Sequence, residues 1–460
     1  MGVDGDTKYQ YLAGLCVNII AIANGAFCGW PSASFLELQA ADSPLETGPM
    51  TNNEAGWVGA MFCVGGLLGT VIFAWAADKV GRKRSLLLTA VPSLIGWVII
   101  PFAVNPTHLA ISRLFGGLTS GGIFAVIPIY ITELAEDKIR GILGTFLVFS
   151  CNAGVLIAFV VGYYLNYIQT AWSMSILTVL FLISFVFFPE TPAYLMNLSK
   201  VEKAEQSLRY FRNLRSANAD TKEELKFELE KLHKIEKPEK EESEAITWHD
   251  FTNHTARKAF LIGFALMALN QLCGCFAMIN YTASIFKQAG SNLTPKFSAI
   301  VVGVIQLFGS YMSTVLVERA GRKLLLIISA VGTGLGHVCL GSYSYLNMLG
   351  YDTQAYNWIP VASFSFIIFI ACWGVLTLPF LVVSEILPPK IRNMGNMICM
   401  VVLWIICFFI LKYLPTMSEV MGMHGMMLFF GSSCFIGAAF IIIYVPETKG
   451  KSIETILSML

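Results

Sequence analysis

Charged residues are what this 460-residue chain has least of. Asp, Glu, Lys and Arg make up 13% of it, whereas soluble proteins carry about 25%. Its 31 basic and 30 acidic residues leave a net charge of +1, which provides no basic surface for DNA or RNA. Apolar residues account for 55% of the chain, and the mean hydropathy is +0.65. This composition excludes a soluble single-core enzyme, a disordered chain and a nucleic-acid-binding protein.

The chain also lacks the residue patterns of metal sites and of nucleophilic catalysis. Cys273-Gly-Cys275 has the wrong spacing for zinc and no partner pair nearby. The eleven cysteines lie almost all within apolar runs, where we expect packing and not disulfides. We therefore expect no enzymatic activity, no metal and no cofactor.

Twelve runs of mostly apolar residues dominate what is present. An α-helix needs about 20 such residues to cross a bilayer. The runs are continuous and not alternating, which argues against a β-barrel, and in lipid the backbone must satisfy its own hydrogen bonds. We therefore predict an all-α membrane protein with twelve transmembrane helices. The runs lie near 10–36, 55–77, 85–104, 109–132, 142–165, 171–189, 259–283, 297–317, 324–346, 358–384, 394–413 and 424–446.

Basic residues follow every even-numbered run. The densest clusters lie at 82–84 and 319–323, and the loops on the other side contain only three basic residues. Because Lys and Arg are enriched in cytoplasmic loops, the pattern predicts that both termini face the cytoplasm. Asn292, in the sequence Asn-Leu-Thr, is a glycosylation candidate on a loop predicted to lie outside.

A charged segment divides the runs six and six. Residues 200–258 contain 13 basic and 13 acidic residues. Apolar residues recur at helical spacing from Val201 to Phe211 and from Leu225 to Ile235, which predicts two short amphipathic helices docked on the protein. The predicted organisation is an N-terminal six-helix bundle, cytoplasmic linker helices, and a C-terminal six-helix bundle with a short tail, at 1–195, 196–257 and 258–460.

Three short motifs of the first half recur in the same order in the second half. The shifts are 240, 252 and 257 residues. Ordered repeats predict a duplicated six-helix unit and a transporter whose binding site lies between the repeats. The pairs are Asp78–Lys83 with Glu318–Lys323, Glu133–Arg140 with Glu385–Arg392, and Pro189–Thr191 with Pro446–Thr448.

Together with Arg113–Gly117, Pro128–Tyr130 and Gln271–Tyr281, these motifs resemble those of the sugar porter family of the major facilitator superfamily. Within that family the chain is similar to insect facilitated trehalose transporters and animal hexose facilitators, over nearly its whole length. The resemblance implies two pseudo-symmetric bundles that rock about a central site in the plasma membrane. It also implies a small neutral sugar and the lipid bilayer as partners, with no obligate protein partner.

Amide side chains suit a neutral sugar because, like its hydroxyls, they both donate and accept hydrogen bonds. An aromatic ring can cover the apolar face of the sugar. By position in the family motifs, the substrate contacts are expected at Asn270, Gln271, Gln306 and Trp404, and the amide-rich seventh run adds Asn280. Asn270 and Gln271 point about 100° apart on a helix, so one can face the cavity while the other bonds a neighbouring helix.

Three positions depart from the family. Val148, Phe276 and Phe380 stand where Gln, Asn and Trp are usual. Fewer polar contacts predict a larger substrate, weaker affinity or a loss of transport. Loss of the fifth-helix Gln resembles the trehalose branch.

Charged residues of the repeated motifs form the predicted cytoplasmic gate. Guanidinium groups pair well with carboxylates. Our hypothesis is that ion pairs latch the two bundles when the cavity faces out and break when it faces in; the alternative is that the charges only set the orientation. The residues are Asp78, Arg82, Glu133, Arg140, Glu190, Glu318, Arg322, Glu385, Arg392 and Glu447.

Coupling to protons would need a titratable group in the cavity. No Asp, Glu, Lys or Arg lies at 9–36 or 259–286. Arg113 is expected to extend to the membrane interface and His337 to bond locally. We therefore predict passive uniport.

Two other functions stay open at this point. An organic-ion transporter of the same superfamily would share several motifs, but the loop after the first run is only about 18 residues and the cavity lacks a fixed charge. A non-transporting sugar sensor would need a signalling tail, and Lys451–Leu460 leaves little room for one.

Overall fold

The computed structural model describes residues 7–213, 247–290, 293–451 and 453–459. All regular elements in these residues are helices, and they form eleven helical stretches that are long and apolar enough to cross a membrane. The first half comprises α1 Lys8–Leu38, α2 Asn52–Val80, α3 Arg82–Ile99, α4 Pro106–Leu134, α5 Asp137–Tyr164 and α6 Tyr167–Phe185. The linker contributes α7 Pro192–Asn197, α8 Val201–Phe211 and α9 Trp248–Thr252. The second half comprises α10 His254–Leu272, α11 Cys275–Asn280, α12 Thr282–Ala289, α13 Pro295–Ala320, α14 Arg322–Met348, α15 Ile359–Trp373, α16 Leu378–Ile386 and α17 Arg392–Tyr444, followed by α18 Ile453–Ser458.

The last two predicted runs belong to one 53-residue element, α17. Its backbone leaves the helical region at Gly422, where φ is 68° and ψ is 168°. A positive φ is readily adopted by glycine, so the two spans meet at a sharp bend without an intervening loop. The eleven apolar helices therefore account for all twelve predicted runs, and the prediction of an all-α membrane fold is confirmed.

Two other spans are interrupted inside the bilayer region. Gly274, with φ 74°, separates α10 from α11, and a Cβ there would lie 2.6 Å from the ring of Phe430. Gly374 ends α15, and α16 begins only at Leu378. Non-helical backbone is tolerated at membrane depth where protein surrounds it, because other groups then satisfy the freed carbonyls.

Glycines allow very close packing between α2 and α4 in the first half. A Cβ on Gly117 would lie 2.0 Å from the carbonyl oxygen of Phe62, and one on Gly65 would lie 2.0 Å from that of Leu114. Without side chains at these positions, the two backbones come into contact, as small residues permit in membrane helices. The halves themselves meet where α1 packs on α11 and α12, α2 on α17, and α5 on α13.

The first linker helix of the prediction is present as α8. Ala204, Leu208 and Phe211 are buried, but Val201 is half exposed and does not belong to the buried stripe, because it lies at the first helical position. The Ser207 hydroxyl donates to the carbonyl of Glu190 and fastens α8 to the first half. The second predicted linker helix at 225–235, Asn292 and the side chain of Glu318 lie outside the described residues.

The contact between α2 and α4 predicts the effect of a glycine substitution. Gly117→Val should lower the free energy of unfolding by about 3 kcal/mol, the upper end of the usual cost of overpacking, since the obstacle is backbone. Gly144→Val is the matched control, because Gly144 lies in an exposed part of α5 with open space around it. Thermal unfolding in detergent would measure both, and equal melting temperatures would contradict the close contact.

Candidate substrate site

A cavity lies between the two halves, with about 940 Å³ of empty space that includes the part open to solvent. Both halves contribute to its lining, through α1, α4 and α5 on one side and α10, α11, α13, α15, α16 and α17 on the other. No charged side chain belongs to the lining in the part of the chain that the structure describes. The polar lining residues are Asn24, Ser120, Asn152, Asn270, Gln271, Gln306 and Thr377.

Asn270 and Gln271 lie at the end of α10, beside the interruption of the tenth span. The Asn270 amide nitrogen donates to the carbonyls of Val375 (2.8 Å) and Leu376 (3.2 Å), two of the groups freed by the break. Its oxygen accepts a hydrogen bond from Gln271 Nε2 at 2.8 Å. Asn270 thus fixes the broken span and orients Gln271, and both side chains contribute to the lining.

Gln306 joins the two halves across the cavity. Its Nε2 donates to Asn152 Oδ1 at 2.8 Å, and Asn152 in turn donates to the hydroxyl of Ser310. The Gln306 Oε1 atom is buried and has no protein partner among the described residues. It is therefore an acceptor available to a hydroxyl group in the cavity.

Trp404 places an indole against the other half. Its Nε1 donates to the Thr70 hydroxyl at 3.1 Å, and its ring lies against Gly66, where a Cβ would come within 2.6 Å. The indole is therefore held in one orientation, with Phe62 packed edge-on at 6.1 Å between ring centroids.

Asn280 is not among the lining residues, contrary to the sequence expectation. Its Oδ1 accepts a hydrogen bond from Arg113 Nη2 at 2.9 Å. Arg113 is fully buried, also donates to the carbonyl of Phe27, and lies 4.5 Å from the ring centroid of Phe62. The expectation that Arg113 extends to the membrane interface is therefore wrong, because two oxygen acceptors and an aromatic face hold the guanidinium inside the protein.

Sequence reasoning missed four polar lining residues: Asn24, Ser120, Asn152 and Thr377. The available signal was helical spacing, because Asn152 follows Val148 by one turn and shares its face. Val148, Phe276 and Phe380, the three departures from the family, all line the cavity. Polar groups thus remain on the fifth span, displaced by one turn from the usual position.

Charged motif residues cluster at one end of the molecule, here called the basic end. Arg82 Nε lies 2.9 Å from Glu133 and its Nη1 lies 3.4 Å from Asp78. Arg322 Nη2 lies 3.4 Å from Glu385. Each of these ion pairs lies within one half.

The repeated Pro-Glu-Thr motifs cap helices. Glu190 accepts the backbone N–H of Lys83 at 2.9 Å, and Glu447 accepts those of Arg322 and Lys323 at 3.0 and 3.1 Å. A carboxylate at a helix N-terminus is stabilised by the helix dipole. The Glu447 carboxyl is partly buried, which raises its pKa, but the backbone N–H groups outweigh burial and hold the pKa below its usual value.

Gly81 and Gly321 make room for these two carboxylates. A Cβ on Gly81 would lie 2.4 Å from Glu190 Oε2, and one on Gly321 would lie 2.8 Å from Glu447 Oε2. The remaining motif arginines also match between the halves. Arg140 donates to the carbonyl of Ala135 at 3.4 Å, and Arg392 donates to that of Leu387 at 3.5 Å.

The opposite end of the molecule joins the two halves directly. The Tyr281 hydroxyl lies 3.1 Å from the carbonyl oxygen of Ala55, in the first half, and 3.3 Å from that of Leu411. Lys412 donates to Asn53 Oδ1 at 2.6 Å. The same ammonium lies 4.4 Å from the ring centroid of Trp57. Bonds between the halves therefore hold this end closed.

The family match covers nearly the whole chain. Residues 17–460 match the family described as "Sugar (and other) transporter". This chain belongs to the sugar transporter family. It is a membrane transporter and not an enzyme.

Several known proteins resemble the chain. The facilitated trehalose transporter Tret1 of Polypedilum vanderplanki is 34% identical, over 97% of this chain and 87% of that protein. The protein of the same name from Anopheles gambiae is 32% identical over 97% of this chain, which spans only 55% of that relative. The inward open conformation of the xylose transporter XylE from E. coli has the same fold, with a TM-score of 0.79 at 24% identity over 98% of this chain and 100% of that one.

The capping carboxylate of Glu447 predicts a pH dependence of stability. Because its folded pKa is lowered, its stabilisation is present above the unfolded value of about 4.3 and is lost as the pH falls through the folded value. Glu447→Gln should lower the melting temperature by a few degrees at pH 7, and the difference from wild type should persist down to a pH of about 4.3 and shrink only below it. Glu46→Gln, at an exposed glutamate outside the helices, is the control. A difference that persists unchanged at low pH would contradict this role.

Proposed function

We propose that this protein carries the neutral disaccharide trehalose, and glucose-type hexoses less well, across the plasma membrane by passive uniport. An uncharged cavity between two membrane bundles, lined by amides and an indole, supports this proposal most strongly. The relatives named facilitated trehalose transporters support the choice of sugar. Their similarity to this chain also argues against a non-transporting sensor.

The amide side chains of the second half bind the sugar hydroxyls in this proposal. Gln271 and the unpartnered oxygen of Gln306 make direct hydrogen bonds, and Asn270 orients Gln271. The indole of Trp404 covers an apolar face of the sugar. Asn280 acts indirectly, because it accepts a hydrogen bond from Arg113 and holds that side chain beside the closed end.

The chemistry of the lining favours uniport over coupled or ionic transport. The side chains that line the cavity, as far as the structure describes them, contain no carboxylate or imidazole that could carry a proton. His337 is buried, and its Nε2 lies 2.9 Å from the carbonyl of Cys273. An organic ion would find no counter-charge in the lining, which argues against that alternative.

The charge pattern supports an orientation with the basic end and both termini in the cytoplasm. The moving bodies are residues 1–195 and 258–460, joined by the linker 196–257. In the described state the opposite end is joined, and the Arg82–Glu133 and Arg322–Glu385 pairs of the basic end each stay within one half. The cavity then faces the cytoplasm, and the motif charges latch the two halves when it faces out.

The substrate role of Gln271 is testable by counterflow of labelled trehalose and glucose in proteoliposomes. Gln271→Leu should raise the KM for both sugars about tenfold, as the loss of one to two hydrogen bonds implies. Gln354→Leu, at an exposed loop position, should transport like wild type. Uptake should be unchanged when a pH gradient is collapsed. Concentrative uptake that a protonophore abolishes would overturn the uniport proposal.

The latch is testable by chemical labelling. Arg392→Ala should favour the state that faces the cytoplasm, since it removes a charge that joins the halves only when the cavity faces out. An Ala55→Cys probe, buried at the joined end, should then react more slowly with an impermeant maleimide. Lys390→Ala is the control, because Lys390 pairs with Asp250 of the linker helix α9 and not with the first half. Equal labelling in the Arg392→Ala and Lys390→Ala proteins would contradict the latch and would mean that the motif charges only set the orientation of the protein in the membrane.

A further inference from the structure

The polar groups of the cavity form two separate clusters. One consists of Asn270 and Gln271 and is anchored entirely in the second half. The other consists of Asn152 and Gln306 and bridges the halves, from α5 to α13. Aromatic side chains, including Phe276 and Trp404, occupy the same lining.

A third amide of the lining, Asn24, lies on α1 where this helix touches α5. A Cβ on Gly25 would lie 1.9 Å from the carbonyl oxygen of Cys151, and Asn24 directly precedes Gly25 while Asn152 directly follows Cys151. Both side chains line the cavity. Asn24 Oδ1 and Gln306 Oε1 are buried and have no protein partner among the described residues.

Buried acceptors without a partner are costly, which points to a ligand that donates hydrogen bonds to them. Sugar hydroxyls do this, and a ligand that serves both clusters at once needs hydroxyls at two places. A disaccharide has two rings that bear hydroxyls, whereas a hexose has one. Val148, one turn before Asn152, offers no hydrogen bond of its own.

We infer that Asn152 is a specificity-determining residue that binds the second ring of a disaccharide, together with Asn24 and Gln306. The inference rests on the proposed function. When the site is empty, Asn152 bonds Gln306. The second ring exchanges this amide–amide bond for bonds to its hydroxyls, while the first ring binds at Gln271.

The test compares two sugars in the full-length protein. Initial rates of trehalose and glucose counterflow are measured in proteoliposomes for wild type and for Asn152→Leu. The KM for trehalose should rise at least about tenfold and the KM for glucose should stay within about twofold, because only the disaccharide reaches Asn152. Asn347→Leu, at an exposed position on α14, is the matched control and should change neither KM.

Each outcome decides between roles. Equal increases for both sugars would overturn the assignment to the second ring, and unchanged values would show that Asn152 only holds α5 to α13. Should the leucine variant be polydisperse in gel filtration, Asn152→Ser replaces it and should change the trehalose-to-glucose KM ratio in the same direction. A wild-type protein that carries neither sugar would overturn the proposed function itself, and this inference with it.

Discussion

The hydrocarbon of the bilayer imposes the constraint on which the rest of this structure depends: every polar group within it needs a partner supplied by the protein. The interruptions at Gly274 and Gly374 free backbone carbonyls at membrane depth. The Asn270 amide nitrogen donates hydrogen bonds to two of these carbonyls. Its oxygen accepts a hydrogen bond from Gln271 and so holds that side chain in place. The same interaction that makes a broken helix tolerable therefore positions the polar lining of the cavity.

The two ends of the molecule differ in how the halves are joined. At the closed end, Tyr281 and Lys412 bond backbone and side-chain oxygens of the first half. At the basic end, the Arg82–Glu133 and Arg322–Glu385 pairs stay within their own halves. The two pairs are mostly shielded from solvent but do not link the halves, so the preference for this state depends on the bonds at the closed end. A transporter needs this balance, because a lock of many kcal/mol at either end would stop the exchange.

The sequence was informative where the physical signal is local or repeated. Apolar runs, basic loops and matching motifs predicted the helices and the two halves, because each depends on residues close together in the chain. The break at Gly274 escaped prediction, since apolar composition continues across it, and the gap predicted between the last two runs is a bend at Gly422 without a loop. Asn152 was missed because only the preceding turn, at Val148, was compared with the family. Its bond to Gln306 depends on packing between the two halves, and the two residues are 154 positions apart in the chain.

Arg113 shows why charge in a membrane sequence does not by itself predict coupling. The guanidinium is sealed among the Phe27 carbonyl, the Asn280 amide and the Phe62 ring. An arginine cannot release its proton in a protein, so it can couple transport to protons only through a carboxylate that titrates beside it. Neutral acceptors surround it here, and its charge stays constant whatever the pH on either side. A buried arginine of this kind therefore supplies no proton coupling of its own and is compatible with the proposed uniport.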